Sequence, residues 1–176
     1  MPRPFSDNII FLDTEFTSLD PNRGEILSIG LVKMNGNELY LELKTEAEPD
    51  AWVRKHVMPL LTAEKVTRVQ AVEAIERFVG DERPYMVAYV AQFDAIYLYK
   101  LFDRMAAPFR LTPFHWIPID AASMLFTLGI DPERFSAKDK QGFYEEMGID
   151  STQYREHHAL DDAKLLREVY RKLFKG

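Results

Sequence analysis

Apolar residues recur along the chain with two periods, which divide it into short strands and amphipathic helices. Residues 8–13 (NIIFLD), 26–34 (ILSIGLVKM) and 38–43 (ELYLEL) are short and rich in branched and aromatic side chains, and they read as strands. Asn35-Gly36 between the second and third is a strong hairpin signal and predicts positive φ at both turn residues. From Ala63 to Val79, Val66, Val69, Ala71 or Val72, Ile75, and Phe78 or Val79 return at helical spacing, and Gly80 ends the run. Residues 85–91 (YMVAYVA) predict a buried strand, followed by a helix over 93–104. Residues 115–120 (HWIPID) read as a fifth strand, which Pro118 confines to an edge or a strand end. Helices are expected over 121–128, 138–147 and 159–174, with a polar surface loop at 131–140.

An antiparallel meander followed by alternating strands and helices predicts an α/β fold, a mixed sheet with helices on both faces. No internal repeat, low-complexity tract or linker interrupts the pattern, so 176 residues are expected to form a single domain over 1–176. No apolar run approaches the ~18 residues of a membrane helix. The opening MPRPFSDN also lacks the apolar stretch of a secretory signal. The expectation is a soluble cytoplasmic protein with no membrane partner. The chain has no cysteine, which excludes disulfides and thiolate ligands, so any metal must be held by oxygen or imidazole.

The same periodicities place carboxylates on inward faces. In the first strand Ile9, Phe11, Asp13 and Glu15 share one side, so two acids end an apolar row. Along the helix after YMVAYVA, Asp94 heads a stripe with Leu98, Leu101 and Met105. In the last helix Asp162 continues into Leu166, Val169 and Leu173, whereas Asp161 falls with Glu168 and Lys172 and reads as a solvated first-turn acid. Any one of these has an ordinary explanation, such as a charge at a strand end or an acid favoured by a helix dipole. Three segments that each begin an apolar face with an acid point instead to divalent metal, because bare buried carboxylates cost several kcal/mol each. A net charge of −6 argues against tight non-specific binding to nucleic acid, but two divalent ions would bring it to −2.

Asp13-Thr14-Glu15, Phe93-Asp94 and His157 through Asp162 together resemble, in order, the DxE, central Asp and HxxxxD motifs of the DEDDh 3′-to-5′ exonuclease superfamily. Residues 27–32 (LSIGLV), 52–61 (WVRKHVMPLL) and 88–94 (AYVAQFD) are similar to the bacterial RNase AS group, exoribonucleases associated with adenylate-containing RNA. Val90 stands where the wider superfamily often has Asn.

The resemblance implies a ribonuclease H-like, five-stranded mixed sheet and hydrolysis of RNA 3′ ends to nucleoside 5′-monophosphates. It further implies two Mg2+ or Mn2+ ions on Asp13, Glu15, Asp94 and Asp162, and a homodimer. Physics alone leaves His157 and His158 both open as the general base, and the family's spacing selects His157. By resemblance, Phe16, Thr17, Ser18 and Leu19 would form the terminal-nucleotide pocket. Phe93, Tyr89 and Trp52 could stack on bases, although their apolar context favours core packing. Arg54, Lys55, Arg68, Arg167, Arg171, Lys172 and Lys175 are candidate phosphate contacts, and His56 and His115 read as structural. Two other functions fit the same fold: a DNA exonuclease, and a catalytically silent nucleic-acid-binding module.

Overall fold

The computed structural model describes residues 3–103, 113–136 and 139–174. Six strands form one mixed sheet: β1 (Ile9–Phe16), β2 (Ile26–Lys33), β3 (Glu38–Leu43), β4 (Lys65–Val66), β5 (Tyr85–Ala88) and β6 (Ile119–Asp120). Their order across the sheet is β4-β3-β2-β1-β5-β6. The first three strands are the antiparallel meander, while β5 runs parallel to β1 and β6 parallel to β5.

Alternation along β1 sorts two cores. Ile10 and Leu12 face one side with α2 (Arg68–Val79) and α3 (Gln92–Leu101), whose Ala71, Ile75, Ala95 and Leu98 join them. Ile9 and Phe11 face the other, against α4 (Ala121–Thr127), α5 (Lys140–Glu146) and α6 (Ala159–Phe174). Short α1 (Ala51–His56) lies between β3 and β4 in sequence.

Three differences from the sequence reading have physical causes. The expected helix over 63–79 starts only at Arg68, because Thr67 and Gln70 form a reciprocal capping box. Lys65 and Val66 are thereby freed to pair with Glu42 and Leu43 as a sixth strand, and Val69 becomes exposed. The β2–β3 connection is also longer than the two-residue turn that Asn35-Gly36 implied. The Gly36 amide donates to the Lys33 carbonyl, the Lys33 amide donates to the Asn37 carbonyl, and Gly36 alone takes positive φ, at 95°. This is the geometry of a three-residue loop with a glycine bulge. Finally, the 131–140 loop contains a 3-10 turn, Pro132–Phe135, that buries Phe135. Arg104, Met105 and Lys138, which the sequence reading placed in helices, and Lys175 lie outside the described residues.

One glycine sets the distance between sheet and last helix. A Cβ built on Gly30 would meet the Ala159 carbonyl at 2.3 Å, so the first turn of α6 can rest on β2 only if position 30 is glycine. Gly30 pairs with Asp13, and this close approach carries Asp162 to the Asp13 face of β1.

Candidate functional site

Pairing of β1 with β5 stops at Phe11 and Val87, and beyond it the two strands part. Ligand sites in open α/β sheets form at such carboxyl ends. The Thr14 amide lies past the end of that pairing and donates instead to Asp94 Oδ1 at 2.9 Å, with the Thr14 hydroxyl on the same oxygen at 2.8 Å. Asp94 comes from the α2–α3 face, and Asp13 and Glu15 belong to the α6 face. Ligand oxygens of Asp13, Glu15 and Asp162 fall within 4.8 Å of one another, and Asp94, held by Thr14, is near enough to act electrostatically on Asp13 and Glu15.

Every member of the quartet is pushed toward its protonated form. For Asp13 burial is the main cause, followed by Asp162, Asp94 and Glu15. Burial and then Asp162 raise Glu15 to about 8. Burial raises Asp94 to about 7 against the opposing Thr14 hydrogen bonds, and burial followed by Glu156 raises Asp162 to about 7. Four acids that repel one another in a desolvated corner fit hard divalent cations bound through oxygen.

The trio opens into a cleft of about 310 Å³, lined also by Tyr89, Phe135, Lys140, Tyr144, Glu156 and His157. His157 sits in the loop before α6 with φ 61°, its Nε2 3.5 Å from Glu156 Oε1 and its ring edge-on to Trp52 at 4.9 Å. Burial holds its pKa below the ordinary imidazole value. His158 turns away: it is buried, stacks on Tyr40 at 4.5 Å and has Arg155 Nη2 2.9 Å from its Nε2. A guanidinium can only donate, so Arg155 donates to the ring.

Asp161 corrects the sequence reading. It is not solvated but buried, accepting from Arg155 Nε at 2.7 Å and the Arg155 amide at 3.2 Å. Helical periodicity misses this because the partner comes from the loop that folds back over the first turn of α6. Trp52, expected in the core, is half-exposed on α1 and stacks on His56 at 4.5 Å beside His157. Lys140, which pairs with Glu156, is a cation at the cleft that no sequence motif marked.

The segment after β1 divides. Phe16 stacks on Tyr97 at 4.4 Å and leans toward Phe93 at 6.2 Å, both partly exposed, and Leu19 is exposed. Thr17 and Ser18 are buried and stitch the loop: the Thr17 hydroxyl accepts the Glu25 amide at 3.0 Å, and the Ser18 carbonyl accepts the Tyr97 hydroxyl. Among the expected phosphate contacts, Arg68 donates to the Leu101 and Lys100 carbonyls and Arg167 to the Met34 carbonyl, so both serve the fold. Arg54 pairs with Glu48 at 3.1 Å. His115, read as structural, lies against Tyr85 at 4.2 Å.

Val90 has φ 57°, a left-handed conformation that a β-branched residue adopts only under constraint. Asn tolerates this backbone. The residue lies in the turn that delivers Asp94, and Asp120 accepts the adjoining Ala91 amide at 3.1 Å.

A parallel-stranded crossover ending in four converging acids defines a DEDD-type exonuclease domain of ribonuclease H-like fold. The RNase_T family, described as exonuclease, matches residues 10–170, and the chain belongs to it. DNA polymerase III PolC-type of Thermotoga maritima is 26% identical over 165 residues, and the Thermotoga petrophila protein matches equally. These matches cover 92% of this chain and only 11% of the length of each relative. Among solved structures, the zinc-bound E. coli ExoI–ssDNA complex superposes with a TM-score of 0.68 at 13% identity. E. coli exonuclease I with a dT13 oligonucleotide gives 0.66 at 15%. Each covers 94% of this chain and 40% of the other. Among the described residues, no helix is long and apolar enough to cross a membrane.

Proposed function

We propose that this chain is a divalent-metal-dependent 3′-to-5′ exonuclease that shortens single-stranded RNA, with adenylate-rich RNA as the preferred class, releasing nucleoside 5′-monophosphates. The observation that carries the reading is the convergence of Asp13, Glu15 and Asp162 on a cleft that also receives His157, with Asp94 acting electrostatically on Asp13 and Glu15.

Asp13, Glu15, Asp94 and Asp162 would hold two cations, Mg2+ or Mn2+, which when bound polarise the phosphate and neutralise charge that builds on it. His157 takes the proton from the attacking water. Its depressed pKa keeps the ring neutral, and so able to accept, at neutral pH. As water adds to phosphorus, the bond to the 3′ oxygen breaks and the 5′-phosphate leaves with the terminal nucleoside. Glu156 lies beside the ring and favours the imidazolium that forms. Burial of His158 against Tyr40, away from the cleft lining, supports His157 over His158 in this role.

Phe16, Phe93 and exposed Leu19 would pack the terminal base and sugar, and Trp52 offers a stacking surface on the His157 side. Thr17 and Ser18 would contribute by shaping the loop that presents these residues. The resemblance of 52–61 and 88–94 to the RNase AS group supports RNA as the polymer. A second reading, a DNA exonuclease, is favoured by the DNA named for the relatives and structural neighbours.

Incubating 5′-labelled RNA and DNA of equal sequence with protein and Mg2+, against EDTA, tests both. Stepwise shortening of RNA in preference to DNA is expected. Faster loss of DNA would favour the second reading, and binding without shortening of either polymer would overturn the enzyme. Homopolymer RNAs compared side by side then report base preference, and sedimentation tests the homodimer that the resemblance implies.

A further inference from the structure

The left-handed backbone of His157 requires restraint, because a residue with a Cβ seldom adopts it unaided. The restraint is visible on both sides. Arg155 donates to Asp161 Oδ2 through its amide and its Nε, and Asp161 is the acid that periodicity would have left in solvent. Past His157, the His158 carbonyl accepts the amides of Asp161 and Asp162 at 2.8 and 3.0 Å, and the His158 ring takes the Arg155 guanidinium. Residues 155 and 158 thus converge on Asp161, and only Glu156 and His157 span the bend between them.

We propose that Arg155 and Asp161 are positioning residues for His157, closing the chain on either side of it so that its ring is turned into the cleft. This rests on the reading of His157 as the general base.

The clamp is anchored to the sheet. His158 stacks on Tyr40, and the Tyr40 hydroxyl donates to Glu42 Oε1 at 3.0 Å. The same Glu42 oxygen accepts the Thr62 and Ala63 amides at 2.8 and 2.9 Å, fixing the chain that follows α1. Strand β3 therefore holds both walls around His157, the α6 entry loop and the α1 segment with Trp52. A purely structural ion pair would stabilise the loop equally whether or not residue 157 were histidine.

The test is steady-state hydrolysis of a labelled oligonucleotide with Mg2+ by Arg155→Gln and Asp161→Asn, each in the wild-type and in the His157→Ala background, with melting temperatures recorded. With His157 present, each change is expected to lower kcat roughly 10–100-fold, the scale of a misplaced catalytic group, and to leave KM within about threefold. In the His157→Ala background each is expected to cost less than about twofold, since two changes acting through one group are not additive. Equal losses in both backgrounds, or no loss beside an intact His157, would overturn the positioning role. Full kcat in His157→Ala alone would instead remove the general base, and with it the object positioned. If Asp161→Asn does not fold, Arg155→Gln decides alone, because 57% of the Arg155 side chain is exposed and its replacement is tolerable.

Discussion

Replacing Asp162 with Asn should make the metal-free protein more stable while abolishing its activity. Burial and then Glu156 hold the Asp162 carboxyl near 7 against an ordinary 3.8. The folded protein therefore binds that proton more tightly than the unfolded chain does. The resulting penalty grows as pH rises above the unfolded value and is complete above about 7. At about 1.36 kcal/mol for each unit, ionising Asp162 costs on the order of 4 kcal/mol at pH 8 and roughly a third of that at pH 5. Asn removes the charge and keeps a carbonyl oxygen to accept the His157 amide. It also relieves Asp13 and Glu15, for both of which Asp162 is the leading charge that raises the pKa. In a domain of this size about 1 kcal/mol moves Tm by about 2–4 °C, so the variant should melt about 8–16 °C above wild type in EDTA at pH 8. The gap should shrink to about a third at pH 5. Mg2+ or Mn2+ should raise wild-type Tm at pH 8 and raise that of the variant less. Thermal melts by circular dichroism with and without EDTA provide the measurement. A variant that melts at or below wild type at pH 8 without metal would refute the strained-acid account.

Other outcomes follow from the same geometry. His157→Ala should lower kcat by roughly 10²–10⁴-fold with little change in Tm. His158→Ala should instead cost roughly 1–3 kcal/mol of stability by removing the ring that stacks on Tyr40 and the acceptor of Arg155 Nη2; the reverse pattern in paired kinetics and melts would exchange their roles. Val90→Asn should stabilise by about 1 kcal/mol in denaturant titration, because Asn accepts the left-handed backbone that Val resists, and a loss of stability would count against strain at this turn. Trp52→Ala should raise KM roughly tenfold with kcat nearly unchanged, in keeping with about 1–3 kcal/mol for a stacked base, and an unaltered KM would remove Trp52 from the substrate path. Gly30→Ala should cost about 2 kcal/mol or more in unfolding experiments by driving α6 off β2, and should lower activity through Asp162; a neutral result would show that the helix can retreat without consequence.

The last helix and the three-stranded meander were legible because a single amphipathic or alternating pattern determines each. Strand β3 spans the predicted residues, and α6 runs the predicted 159–174. Placing Asp13 and Glu15 together, and Asp94 and Asp162 at the heads of apolar stripes, needed only the periods of strand and helix. Those periods also put Asp162, and not Asp161, on the stripe of α6 that meets the cleft lining. They failed for Asp161 itself, because a period describes one element and the Arg155 that neutralises it arrives from outside α6. The same limit hid the sixth strand, where a capping box overrode the apolar spacing of 63–67, and hid Lys140 and the exposed position of Trp52.

By itself, then, the sequence determined the inward stripe of β1 and of the helices that carry Asp94 and Asp162, and hence the four acids and the order in which they occur. It left both histidines open, since adjacent residues at a helix entry are distinguished only by the backbone between them. The tertiary structure brought His157 to the cleft and His158 under Tyr40. It did so through a left-handed residue, a clamp from a neighbouring loop and a glycine that lets a helix touch the sheet. The Gly30–Ala159 and Tyr40–His158 contacts join segments far apart in the chain, and the Arg155 clamp crosses an element boundary, so no single pattern of polarity encodes them.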